Sequence, residues 1–80
     1  MLIEINLFAD LSNYLPSPAK GKHSAVIDVP ERASISDVIT MLGLPDTREN
    51  LIFVNGVHEA VHYVLKNNDV LVITPPLAGG

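Results

Sequence analysis

The chain has no cysteine and no tryptophan, and its aromatic complement is two tyrosines and two phenylalanines. Without a thiol there is no disulfide, no thiolate metal site and no sulfur nucleophile, so any sulfur this protein handles must ride on another group. Positive charge is scarce too. Five lysines and arginines against nine carboxylates leave a net charge of −4, which argues against a basic nucleic-acid-binding patch. No apolar run approaches the length of a membrane span, so no membrane partner is expected. The five glycines are scattered, no GK[ST] occurs, and no GxSxG surrounds any serine; phosphate loops and nucleophile elbows drop out. Met1-Leu2 runs directly into strand-like sequence, with no signal peptide in view, which makes the cytoplasm the expected compartment.

What the chain does have is aliphatic carbon. Eighty residues suffice for one domain, and 48% of them are hydrophobic, mostly Val, Ile and Leu. A domain of this size buries about 60–65% of its unfolded surface, so its small core must be efficient.

Leu2 to Phe8 alternates, with Ile3, Ile5 and Leu7 on one face and Leu2, Glu4, Asn6 and Phe8 on the other, which predicts a strand. Ala9 to Leu15 carries polar breaks and suits a short helical turn. The segment from Pro16 to His23 has two prolines, a glycine and two lysines, and reads as a loop. Ser24 to Val29 alternates again, giving a wide hairpin.

Ser34 then opens the one convincing helix. Ser34 and Asp37 form a capping box with Asp in place of Glu, and Ile35, Val38, Ile39 and Leu42 make one apolar stripe. Gly43 falls where a left-handed residue ends a helix, Leu44 can fold back, and Pro45 blocks continuation. Asp46 to Asn50 is a polar loop. Leu51 to Asn55 is a third strand, Asn55-Gly56 a strong turn signal, and Val57 to Leu65 a fourth short strand or an irregular edge. Asn67-Asn68-Asp69 is a turn into Val70 to Thr74, the last strand.

Val70 to Ile73 is apolar at consecutive positions, so both faces want cover, as in a central strand. Placed beside the first strand, it completes a two-layer α+β domain of one mixed sheet, four to five strands packed on one helix. Pro75 and Pro76 end the strand, having no N–H to give to a ladder. Residues 75–80 of the single domain 1–80 then form an extended tail. Its six residues reach roughly 20 Å when stretched, and it finishes on Leu77, Ala78, Gly79 and Gly80. The other reading of this end is an ordinary run of small terminal residues.

Other chemistry is thin. His58 and His62 are four apart, but Asn55-Gly56 just before them disfavours a helix and no third ligand is evident; they read as surface or turn residues, with no metal site expected. Asp46 and Glu49 flank Arg48 in a polar loop and read as solvated. No catalytic residue is expected within the chain.

Taken in order, Phe8-Ala9 after the first strand, Val54-Asn55-Gly56 after the helix, Asn68-Asp69-Val70 before the last strand, and the closing Pro75 to Gly80 resemble the ThiS/MoaD family of ubiquitin-like sulfur carriers. The likeness spans essentially the whole chain, and the two prolines before the tail look more like the small subunit of molybdopterin synthase than the thiamine carrier. Leu42 to Pro45, running on to Asn55-Gly56, is also similar to ubiquitin-like domains fused to nucleases. The resemblance implies a β-grasp fold and a non-enzymatic carrier serving as protein co-substrate. An E1-like partner spends ATP to adenylate the Gly80 carboxylate, sulfur replaces AMP, and the thiocarboxylate donates to a partner such as a molybdopterin synthase large subunit. No cofactor is bound by the carrier itself. It gives Pro76, Leu77, Ala78 and Gly79 the role of a thread for a partner's channel. Phe8, Phe53 and Leu77 are candidates for an apolar docking patch; for the two phenylalanines, core or rim packing is the competing account. Alternatives are a thiamine-pathway carrier, a ubiquitin-like protein modifier, and an interaction module that binds through its sheet.

Overall fold

Alternating side chains in the first seven residues give a strand with two unlike faces, and the rest of the molecule is built on that asymmetry. A computed structural model of the chain describes residues 1–45 and 50–76. In it Ile3 is 1% exposed and Leu2 48%, so β1 (Leu2–Leu7) turns Ile3, Ile5 and Leu7 inward. A short 3-10 helix (Ala9–Tyr14) follows, then β2 (Ser24–Asp28), α1 (Ile35–Leu42), β3 (Leu51–Val54), β4 (Val57–His58) and β5 (Val70–Thr74).

The five strands form one mixed sheet in the order β2-β1-β5-β3-β4. β5 lies in the centre, parallel to β1, with Glu4 beside Val70 and Leu7 beside Ile73, and antiparallel to β3. This is a ubiquitin-like β-grasp. Ile3, Ile5, Leu7, Ile52, Val54, Leu71 and Ile73 from the sheet meet Ile35 and Val38 of α1 in one buried cluster, closed by Leu11, Leu15, Val29, Ala33, Leu44 and Leu65. Each fully buried aliphatic side chain of this kind contributes about 1.5–3 kcal/mol before chain entropy is counted. The apolar stripe expected on the helix is present, with Ile39 and Leu42 half-buried at its margin.

Local chemistry accounts for the helix ends. Ser34 Oγ accepts from the Asp37 N–H at 3.1 Å, and Asp37 Oδ2 accepts from the Ser34 N–H at 2.9 Å, completing the capping box. Gly43 closes the helix at φ +70°, and the Leu44 N–H returns to the Ile39 carbonyl at 3.0 Å. The first helical N–H groups are also used: Ile35 donates to Tyr63 O at 3.0 Å and Ser36 to Val61 O at 2.8 Å.

One expectation changes. Val70 to Ile73 does not need cover on both faces. Leu71 and Ile73 are buried, while Val70 and Val72 are half-buried on a face with no second layer among the described residues. A central strand is flanked on both sides, and Asn6 of β1 and Phe53 of β3 shield Val72 laterally. The segment Val57 to Leu65 is, as expected, a short strand with an irregular edge: two residues pair, turns follow, and the Val61 and Tyr63 carbonyls serve the start of α1, with Ser34 and Val64 forming an isolated bridge. The loop expected at Asp46 to Asn50 lies outside the described residues but for Asn50. Among the described residues no helix is long and apolar enough to cross a membrane.

Candidate functional site

The site is built where β5 leaves the sheet. The Phe8 N–H donates to the Ile73 carbonyl at 3.3 Å, which pins the end of β1 against the end of β5. On the other side, β3 pairs Leu51 with Thr74. The chain therefore passes into Pro75 and Pro76 between Phe8 and Leu51. Both flanking side chains point away from α1, on the open face of the sheet, and are 39% and 42% exposed. Phe53, beside Val72, extends the same apolar surface one row back.

Imidazoles edge the rim. The Phe8 ring stacks on His23 with centroids 5.8 Å apart, and Phe53 meets His58 edge-on at 5.6 Å. Each contact gives its phenylalanine an aromatic neighbour on the rim. Ala9, at φ +54°, turns the chain sharply after Phe8 and frees the ring from the strand's course. In the 3-10 helix that follows, buried Ser12 donates its hydroxyl to the Ala9 carbonyl at 2.9 Å, which fixes that turn.

Phe8 and Phe53 thus belong to the rim; neither is a core residue. Pro76 is exposed. Leu77, Ala78, Gly79 and Gly80, the tail residues named from the sequence, lie outside the described residues. His58 and His62 are both exposed, and among the described residues no group of three or more His, Asp or Glu side chains comes together to hold a metal ion. Ser34 is spent as a helix cap.

Sequence reasoning missed Leu51, His23 and Asp69. Leu51 was legible as the first residue of a strand, but only the antiparallel register sets it beside Thr74. Asp69 is buried and receives the Asn55 side-chain amide at 2.9 Å and the Lys66 N–H at 2.8 Å; Asn55 Oδ1 in turn accepts the Val70 N–H at 2.9 Å. This network ties the β3–β4 turn to the start of β5 and so braces the strand from which the tail departs.

The arrangement sets an apolar rim around a chain exit, suited to seating an apolar partner surface while the exit points into it. Comparison with known proteins agrees in kind. The family model described as Mut7-C ubiquitin matches residues 1–78, stopping two short of the chain's end. No curated protein matches the chain. Among solved structures, SAMP1 from Haloferax volcanii is 22% identical with a TM-score of 0.77, covering 100% of both chains. A Pyrococcus furiosus protein described as molybdopterin converting factor, subunit 1, is 22% identical with a TM-score of 0.75 over 95% of this chain and 98% of that one. A complex of subunits 1 and 2 of molybdopterin-converting factor from Helicobacter pylori matches at 19% identity and a TM-score of 0.62, with 100% of both chains covered. At these identities the likeness establishes a shared fold, and the resemblance to ThiS/MoaD proteins is met at that level.

Proposed function

The chain belongs to the Mut7-C ubiquitin family, and on that footing we propose that it is a sulfur carrier whose reactive group is the Gly80 carboxylate. The observation that carries this reading is the exit of β5. A central strand, held on both sides, releases the chain through an apolar rim toward a tail ending in two glycines.

The chemistry follows from the carboxylate. It is a poor acceptor for a nucleophile until one oxygen becomes part of a good leaving group. In an E1-like partner, that oxygen attacks the α-phosphorus of ATP and pyrophosphate departs. A sulfide-level nucleophile then displaces AMP, leaving a thiocarboxylate on the terminal carbonyl carbon. The acyl-adenylate hydrolyses in water, so the partner must enclose it. A thread without Cβ at Gly79 and Gly80 fits a narrower channel than any other pair of residues would. Phe8, Phe53, Leu51 and Leu77 form the docking rim in this reading, with Pro76, Leu77, Ala78 and Gly79 spanning the channel. The sulfur acceptor is a larger partner, as the pairing of two subunits in the Helicobacter pylori complex suggests for this fold; the chain itself catalyses nothing and binds no cofactor, the ATP being held by the activating partner.

Deleting Gly80 is expected to abolish ATP–pyrophosphate exchange by the cognate activating enzyme, and Phe8→Ala to raise the carrier's KM there with the fold intact. Unchanged exchange by the deleted chain overturns the reading. One specific observation favours a second role: a Haloferax volcanii relative in fold is described as a small archaeal modifier protein. A modifier would pass the activated Gly80 to a lysine amine and leave an amide. Intact mass of the native protein separates the two, since a carrier gains the difference between sulfur and oxygen and a modifier is found attached to other chains.

A further inference from the structure

The sheet has an unguarded edge. Strand β2 ends the sheet on one side, and the Val29 N–H donates to Met1 O at 2.8 Å while the Leu7 N–H donates to His23 O at 2.9 Å. These bonds fix the phase of the β1–β2 ladder: Ala25 and Ile27 bond inward, so the N–H and C=O groups of Ser24, Val26 and Asp28 point away from the sheet. Natural edges are commonly blunted by lysine, proline or a bulge. β2 has none of these, and Val26 at its middle is 67% exposed.

Beside this edge the open face is hollow. Leu2, Glu4, Val26, Asn68 and Val70 line a shallow groove of about 180 Å³ at the end of the sheet away from the tail. Glu4 stands opposite Val26 in the register and next to Val70 on its other side. Its Oε2 accepts from Asn6 Nδ2 at 3.0 Å, and Oε1 has no partner among the described residues. The second carboxylate on this face, Asp28, already takes the α-amino group of Met1 at 3.2 Å. No strand of the sheet carries a lysine or an arginine. The groove therefore offers apolar walls and the Glu4 carboxylate, which makes no ion pair among the described residues.

We propose that β2 is an addition site for an extended segment of a partner protein that carries an arginine. The segment pairs with the outward N–H and C=O groups of Ser24, Val26 and Asp28 as a sixth strand. Its residue opposite Val26 projects onto the open face. Two strand spacings, about 10 Å, separate its backbone from that of β1. An arginine stem laid across Val26 spans most of that gap and brings the guanidinium to Glu4, which reaches toward it from the other side. This goes beyond the carrier reading and stands whether or not Gly80 is activated.

The test uses the full chain, 15N-labelled, and two blocked pentapeptides: threonine-valine-arginine-valine-threonine and the same with glutamine at the centre. The arginine peptide is expected to shift the amides of Ser24, Val26 and Asp28 and to bind about two- to fivefold tighter than its glutamine twin, the range of an exposed ion pair. Glu4→Gln should erase that preference and leave binding otherwise intact. Val26→Pro, which removes an N–H that β1 does not use, should abolish binding of both peptides; the amides of Ile5 and Leu71 report whether that variant is folded, and if it is not, Glu4→Gln decides. Absence of shifts along β2 at millimolar peptide overturns the proposal, as does equal affinity for the two peptides. Shifts of the same amides with protein concentration alone assign the edge to a second copy and overturn it equally.

Discussion

Asp69 is a charged residue with only 6% of its surface exposed, and both of its carboxylate oxygens are in use. Replacing it by alanine removes the acceptor of the Asn55 amide and of the Lys66 N–H, two part-buried hydrogen bonds. A hydrogen bond contributes about 0.5–1.5 kcal/mol net, and the two together about 1–3 kcal/mol. Asp69→Ala should therefore lower the unfolding free energy by that amount, read as a lower urea midpoint with an unchanged slope, and Asp69→Asn, which keeps one acceptor oxygen, should fall between. A midpoint equal to that of the parent chain would show the network to be ornamental. The sequence marked Asn55 and Asp69 as turn residues and as parts of the family pattern, with nothing linking one to the other. Their partnership spans fourteen positions, and turn chemistry is read over four. The same limit hid the Phe8–His23 stack, whose members are separated by the whole wide hairpin.

Among the elements, α1 was the most legible, because everything that defines it lies within ten residues. Ser34, Asp37 and Gly43 each act through neighbours three or four positions away, and the structure finds all three in the expected roles. Gly43 permits a clean measurement. A Cβ added there meets nothing within 4 Å, so only its backbone angle of φ +70° resists substitution. Gly43→Ala is expected to cost about 1 kcal/mol, the left-handed penalty for a residue with a side chain, read as a lower thermal midpoint with native amide shifts retained elsewhere. A loss several times larger would mean that the helix end depends on more than its dihedral angle. β4 was the least legible element. The valines of Val57 to Leu65 have strand propensity, but propensity lost to the needs of α1, whose leading N–H groups draw on the carbonyls of Val61 and Tyr63.

For the whole molecule, the mixed sheet on one helix could be read from the order of patterns, and the central place of β5 from its lack of polar residues. Register could not be read, and register is what gathers Phe8, Thr74 and Leu51 into one rim. The sheet order has a further consequence, in time. Among the described residues, β1 with β2 and β3 with β4 are two hairpins that share no edge, and β5 is the only strand that touches both. While a ribosome is still making residues 70–74, the two hairpins lack the strand that pairs with both, and what links them is long-range, such as the Ser34–Val64 bridge and the Leu65 N–H on the Ala33 carbonyl; pairing of this kind is slow to form. A chain cut after Asp69 should accordingly give amides that exchange freely in both hairpins, and protection in either would refute this. On this account the body is expected to fold only once the strand that carries the tail has emerged, with the base of the thread already made.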